Sequence, residues 1–80
     1  MNSKEVIADR LRALRNEKNV TTEKMAIDLG MSRATITNYE NGHRVPDRKN
    51  MKLIADYFNK TVDEIFFTNH WDGATIFWDR

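Results

Sequence analysis

The stretch from Thr21 to Arg44, TTEKMAIDLGMSRATITNYENGHR, constrains this chain more than any other. It holds two short helical patterns around a single glycine. Thr21 is a good N-cap for a helix over Thr22 to Leu29, and Glu23 suits its positive end. Met25, Ala26 and Leu29 share the inner face. Gly30 can adopt the left-handed conformation that stops the helix. Met31 plugs the turn, Ser32 caps the next helix, and that helix runs to about Glu40 before the Asn41-Gly42 turn signal. That arrangement suits a second helix that carries Arg, Ala, Thr and Asn on one outward face.

The remaining chain supplies helices to pack on this pair. The first helix is expected to begin near Ser3, with Asn2 and Glu5 spaced as a capping box. Ile7, Leu11 and Leu14 recur at helical spacing beside Val6, and the polar run Asn16 to Asn19 ends the pattern. Val20 plugs the turn that follows. Pro46 precedes Asp47, an N-cap for a fourth helix. Its core stripe is Met51, Ile54, Ala55 and Phe58, widened by Leu53 and Tyr57, with Asn59 as a left-handed terminator. Thr61 to Glu64 is another capping-box pattern, which opens a short fifth helix with Val62, Ile65 and Phe66 inward. The expected fold class is therefore all-α with five helices.

Eighty residues give at most one domain, taken here as 1–67, followed by a tail at 68–80. A core of this size is marginal, and a chain without cysteine has no disulfide to reinforce it. A second copy of the chain is the simplest support. The absence of cysteine, of a signal peptide and of any long apolar run suits a reducing cytoplasm and no membrane. No zinc site can use cysteine, and His43 and His70 are too far apart to form a metal motif. The His70-x-Asp72 pattern reads as a solvated turn. No phosphate loop, activated nucleophile or paired carboxylate points to catalysis, so neither an enzyme nor a cofactor is expected.

Charge is unevenly spread. Residues 1–60 carry a net +4 and residues 61–80 a net −3, within a total of +1. A basic body with an acidic tail fits a body that meets phosphate. A mixed solvated surface would give the same totals, so the side-chain pattern has to decide. On the third helix, Arg33, Thr37, Ala34 and Asn38 fall within an arc of about 140° at ~100° per residue, while Ile36 and Tyr39 point the other way. Each outward residue suits a groove. Arg33 can bond guanine O6 and N7, Asn38 can bond adenine N6 and N7, and Ala34 can meet a thymine methyl. Thr37 can reach a base or a phosphate. An ordinary amphipathic helix would show a polar face too. The cations that follow, Arg44, Arg48, Lys49 and Lys52, tip the balance toward double-stranded DNA.

These residues resemble the Cro/lambda-repressor-type helix-turn-helix domain, the XRE family. The resemblance covers about residues 6–66. It is carried by Leu11-Arg12-Ala13-Leu14-Arg15, Met25-Ala26, Leu29-Gly30, Ser32 through Gly42, Pro46, and Val62-Asp63-Glu64-Ile65-Phe66. It implies a transcriptional regulator, in the first instance a repressor, that acts as a homodimer on a palindromic operator. Its setting would be a phage, a prophage or a restriction–modification controller. It also implies base reading by Arg33, Ala34, Thr37 and Asn38, and phosphate contacts from Thr22, Ser32, Thr35, Asn41 and Arg44. Arg15 and Glu40 become a structural ion pair. The chain departs from the family at Thr22, where glutamine is common, at Ile27, where a polar residue is usual, and at Lys60, which replaces an aliphatic.

Five of the eight aromatics, Phe66, Phe67, Trp71, Phe77 and Trp78, lie from residue 66 onward. Asp72-Gly73 with the strand formers Thr75 to Trp78 reads as a small hairpin. Phe67, Trp71, Phe77 and Trp78 could serve a dimer, fold back on their own domain over Ile27, or hold another protein. The last arrangement supports the competing function, an antitoxin-like or adaptor module with secondary DNA binding.

Overall fold

The computed structural model describes residues 1–68. Within them lie five helical segments and no strand: α1 (Lys4–Lys18), α2 (Thr22–Leu29), α3 (Arg33–Glu40), α4 (Arg48–Tyr57) and α5 (Asp63–Phe67). The hairpin expected at Asp72-Gly73, and Trp71, Phe77 and Trp78, lie outside the described residues.

Local chemistry sets each boundary. Ser3, Thr21, Ser32 and Asp47 each accept the backbone N–H three residues on, which satisfies one of the free donors at a helix start. The cap of α1 is thus Ser3 and not Asn2. Asn2 instead donates its backbone N–H to the Phe66 carbonyl (2.8 Å) and accepts from Arg10 (2.7 Å). Asn19 ends α1 in the left-handed region at φ 66°, and Asn59 does the same after α4 at φ 61°. At α5 the capping box is complete. Thr61 N–H donates to Glu64 Oε1 at 2.7 Å, and Glu64 N–H donates to Thr61 Oγ1 at 3.1 Å. The turn beyond it winds wider than an α-helix, with Thr68 N–H bonded to the Asp63 carbonyl (2.9 Å), and has π geometry.

The core takes Ile7, Leu11 and Leu14 from α1, Met25 and Ala26 from α2, and Ile36 and Tyr39 from α3. Met51, Ile54, Ala55 and Phe58 come from α4 and its end, and Ile65 and Phe66 from α5. Val20, Leu29, Met31, Tyr57 and Val62 pack on its margin. Leu53, expected to widen the α4 stripe, and Val6, beside the α1 stripe, are more than a third exposed. Each sits at the edge of its apolar stripe, where no element among the described residues covers it. α1 packs on α3 and α5, and α2 packs on α3 and α4.

Two polar arrangements brace this core. Arg10 is buried and donates to the carbonyls of Ile65 (3.0 Å) and Thr68 (2.7 Å). It thereby satisfies the terminal carbonyls of α5 and fastens that turn to α1. Burial lowers the pKa of its guanidinium, yet arginine remains charged. On the far side, the Tyr57 hydroxyl donates to Asp28 at 2.7 Å, which joins α4 to α2. Lys24 also bonds Asp28 (2.8 Å), and Lys18 Nζ lies 4.9 Å from the Tyr57 ring centroid. Desolvation, and then the bond to Asp28, push the Tyr57 hydroxyl up to about 12. The bonds from Lys24 and then Tyr57 hold the Asp28 carboxyl below its usual range.

Candidate nucleic-acid interface

The turn between α2 and α3 depends on one backbone conformation. Gly30 has φ 69°, and the Met31 N–H returns to the Ala26 carbonyl at 2.9 Å, as in a Schellman ending. Space is not the constraint, because a Cβ added at Gly30 would meet nothing within 4 Å. The positive φ is what favours glycine there. Ser32 then starts α3, with Thr35 N–H donating to Ser32 Oγ at 3.1 Å and the two hydroxyls 2.8 Å apart. If Thr35 supplies the proton between them, the Ser32 hydroxyl keeps its own for an acceptor outside.

The inner face of α3 is held from three directions. Ile36 is fully buried and Tyr39 nearly so, and the Tyr39 hydroxyl accepts from Asn50 Nδ2 at 3.0 Å. Arg15 Nε donates to Glu40 Oε2 at 2.7 Å, between side chains that are 17% and 5% exposed. Arg12 Nη1 donates to the Glu40 carbonyl at 2.7 Å. Two arginines one turn apart on α1 therefore grip the last residue of α3. Arg15 also donates to the Val20 carbonyl (2.9 Å), so the turn between α1 and α2 is part of the same clamp. The Arg15–Glu40 pair is the one that the family resemblance implies. Arg12 and Arg10 carry no such signal, because their carbonyl partners leave no mark in residue spacing.

The opposite face is open. Arg33 and Ala34 are exposed, and Thr37 and Asn38 are half-buried along the edge. The Asn38 carbonyl accepts the His43 N–H (2.9 Å) and the Arg44 N–H (3.3 Å), which folds the following loop back onto α3. That fold brings the exposed Arg44 beside Asn38, with the exposed Asn41 between them in the chain. Gly42, at φ 77°, lies against the first turn of α1, where an added Cβ would stand 3.7 Å from the Lys4 carbonyl. Thr22 is half-buried at the first position of α2, one residue after the Thr21 cap. The amides of that turn and of the first turn of α3 form two positive helix ends on the described surface.

The cations sort into two groups. Among the described residues, Arg33, Arg44, Arg48 and Lys49 have no carboxylate partner. Lys52, expected to belong with them, instead bonds Asp56 at 2.9 Å, because a four-residue spacing on α4 puts the two on one face. Among the described residues no group of His, Cys, Asp and Glu could hold a metal ion, and no helix is long and apolar enough to cross a membrane.

Comparison with known proteins agrees with this architecture. A family model described as helix-turn-helix matches residues 11–65. The HTH-type transcriptional regulator AnsR of Bacillus subtilis is 39% identical over 57 residues, which is 71% of this chain and 49% of that protein. The HTH-type transcriptional activator BcrR of Enterococcus faecalis is 37% identical over 57 residues, 71% of this chain and 28% of BcrR. The cryptic phage CTXphi transcriptional repressor RstR of Vibrio cholerae is 34% identical over 59 residues, 74% of this chain and 53% of RstR. The chain thus spans about half the length of these relatives or less. No solved structure matches it at comparable significance. With the two-helix unit, its glycine turn and its clamped second helix all inside the matched residues, the chain belongs to the XRE-type helix-turn-helix family.

Proposed function

We propose that this protein is a sequence-specific DNA-binding transcriptional regulator that works as a homodimer on a palindromic operator. The observation that carries this reading is the face of α3. Arg33, Ala34, Thr37 and Asn38 line its outer side, while its inner side is locked by Ile36, Tyr39 and the grip on Glu40. A reading helix must be rigid, since base contacts depend on angles as well as distances. Ser32, Thr35, Asn41 and Arg44 surround it and would fix its register on phosphates, with Thr22 at the start of α2. Arg48 and Lys49 extend the positive rim.

The dimer is supported by the small core and by the geometry of recognition. One α3 reads only a few base pairs, and a two-fold pair would place two such helices about 34 Å apart on one side of the duplex. Repression is the sign carried by the relative RstR, named a transcriptional repressor, whereas BcrR is named an activator. Such a regulator works in the cytoplasm and needs no cofactor.

The test is selection from random duplex DNA at near-physiological salt. An inverted repeat with half-site centres about one turn apart supports the reading. Recovery of no motif, with weak salt-sensitive binding alone, refutes it and favours a protein-binding module.

A further inference from the structure

A groove of about 200 Å³ lies between α4 and α5, lined by Arg48, Met51, Val62 and Phe67. Three of the four are apolar, and Phe67 keeps 41% of its surface exposed. An apolar cavity of ~150 Å³ is enough to hold a benzene ring, so this groove has room for one aromatic side chain. The exposed Arg48 stands at its rim, where its guanidinium can stack on a ring or pair with a carboxylate.

The sequence holds such a group within short reach of this place. Thr68 follows Phe67 directly, in an extended conformation, and its carbonyl is held by Arg10 at 2.7 Å. The chain therefore leaves the fold beside the groove from a fixed point. The sequence continues Asn69-His70-Trp71-Asp72. Trp71 is three residues past Thr68, within a reach of about 10 Å. Asp72 adjoins it and carries the charge that complements Arg48. A segment tethered this closely has an effective concentration in the millimolar range, which a free second copy does not match.

We infer that Trp71 docks into this groove of its own chain, that Asp72 pairs with Arg48, and that the docked tail competes with DNA for that arginine. The competition rests on the DNA-binding reading above; the docking does not. The tail thus lowers the affinity of the domain for DNA, and DNA releases the tail.

Trp71 and Trp78 are the only tryptophans, so full-length protein with Trp78→Phe reports on Trp71 alone. The expected result is a blue-shifted emission, poorly quenched by acrylamide, at every protein concentration. Phe67→Asp should expose Trp71 to quencher, and the selected operator should do the same to the Trp78→Phe protein. Trp71→Ala should tighten operator binding by about 3–10-fold, as for a segment docked ~70–90% of the time. Its thermal midpoint should show that the domain stays folded. Free quenching of Trp71, or shielding that Phe67→Asp leaves intact, overturns the docking. Shielding that develops only as concentration rises assigns the groove to a second copy and equally overturns it. Unchanged or weaker operator binding by Trp71→Ala overturns the competition. Failure of every variant to bind duplex would sink the DNA reading alone, because the quenching of Trp71 with and without Phe67→Asp decides the docking without DNA.

Discussion

Replacing Glu40 by alanine should destabilise the domain by breaking the ion pair that holds the end of α3 to α1. Glu40 is 4% exposed and its carboxylate meets Arg15 Nε at 2.7 Å. Truncation leaves Arg15, itself only 17% exposed in its side chain, without its counter-charge. Breaking one partner of a buried pair costs about 3–5 kcal/mol. The lower end applies here, because Arg15 keeps some contact with water and its bond to the Val20 carbonyl. A chain of this length has a total stability of about 4–12 kcal/mol, so a loss of ~3 kcal/mol is a large fraction of it. For a domain this small the melting temperature should drop by roughly 12–24 °C, at ~4–8 °C per kcal/mol. The assay is thermal and urea unfolding of wild type, Glu40→Ala, Arg15→Met and the double variant Arg15→Met/Glu40→Met. The double variant should recover most of the loss, since an apolar pair of similar volume removes both buried charges. Added salt should barely alter the difference, because a buried pair is poorly screened. A Glu40→Ala cost below about 1 kcal/mol would place the pair with exposed ion pairs and refute the clamp. A double variant as unstable as Glu40→Ala would show that shape, not charge, is at stake.

Arg33→Ala should weaken operator binding by ~1–3 kcal/mol and relax preference at one base position per half-site; an equal loss on all sequences would make Arg33 a phosphate contact. Arg44→Ala should lower affinity on every sequence and reduce the salt slope by about 1 per site lost, and an unchanged slope would place Arg44 away from phosphate. Tyr57 gives a pH signature at the alkaline end. Its hydroxyl is pushed up to about 12 in the fold, above its ordinary value of about 10. The unfolded chain therefore loses that proton first, and stability is full below about pH 10 and falls as pH rises toward 12. Tyr57→Phe should flatten this decline, and an identical alkaline limb in the two proteins would remove Tyr57 as its source. Arg10→Met should cost about 2–3 kcal/mol, in line with charge-assisted bonds to carbonyls, and should speed amide exchange at residues 65–68 ahead of the other helices. Uniform loss of protection would mean that α5 is no separate unit.

Sequence alone determined the five helical segments of the described residues, most of their boundaries, and the two faces of α3. Caps at Thr21, Ser32 and Asp47, stops at Gly30 and Asn59, and the Thr61–Glu64 box act within four residues, so composition at fixed spacing reports them directly. Helical periodicity likewise separated Ile36 and Tyr39 from Arg33, Ala34, Thr37 and Asn38, because a helix face is a property of one segment. Tertiary structure decided what depends on distant partners. The Asn2–Glu5 spacing points to Asn2 as the cap of α1, yet Ser3 caps it, because Asn2 bonds Arg10 and the Phe66 carbonyl instead. Lys52 matched Arg48 and Lys49 in charge, yet its pairing with Asp56 took it out of the open cations. Leu53 matched a core stripe, but 38% of it stays exposed, with no element among the described residues closing over its edge of α4. The arginines of α1 show the division most plainly. Arg10 and Arg12 bind backbone carbonyls of α5 and α3, and every residue offers a carbonyl, so sequence cannot say which ones will be reached. Only the packing of α1 against both helices fixes those partners, and with them the position of the outer face of α3.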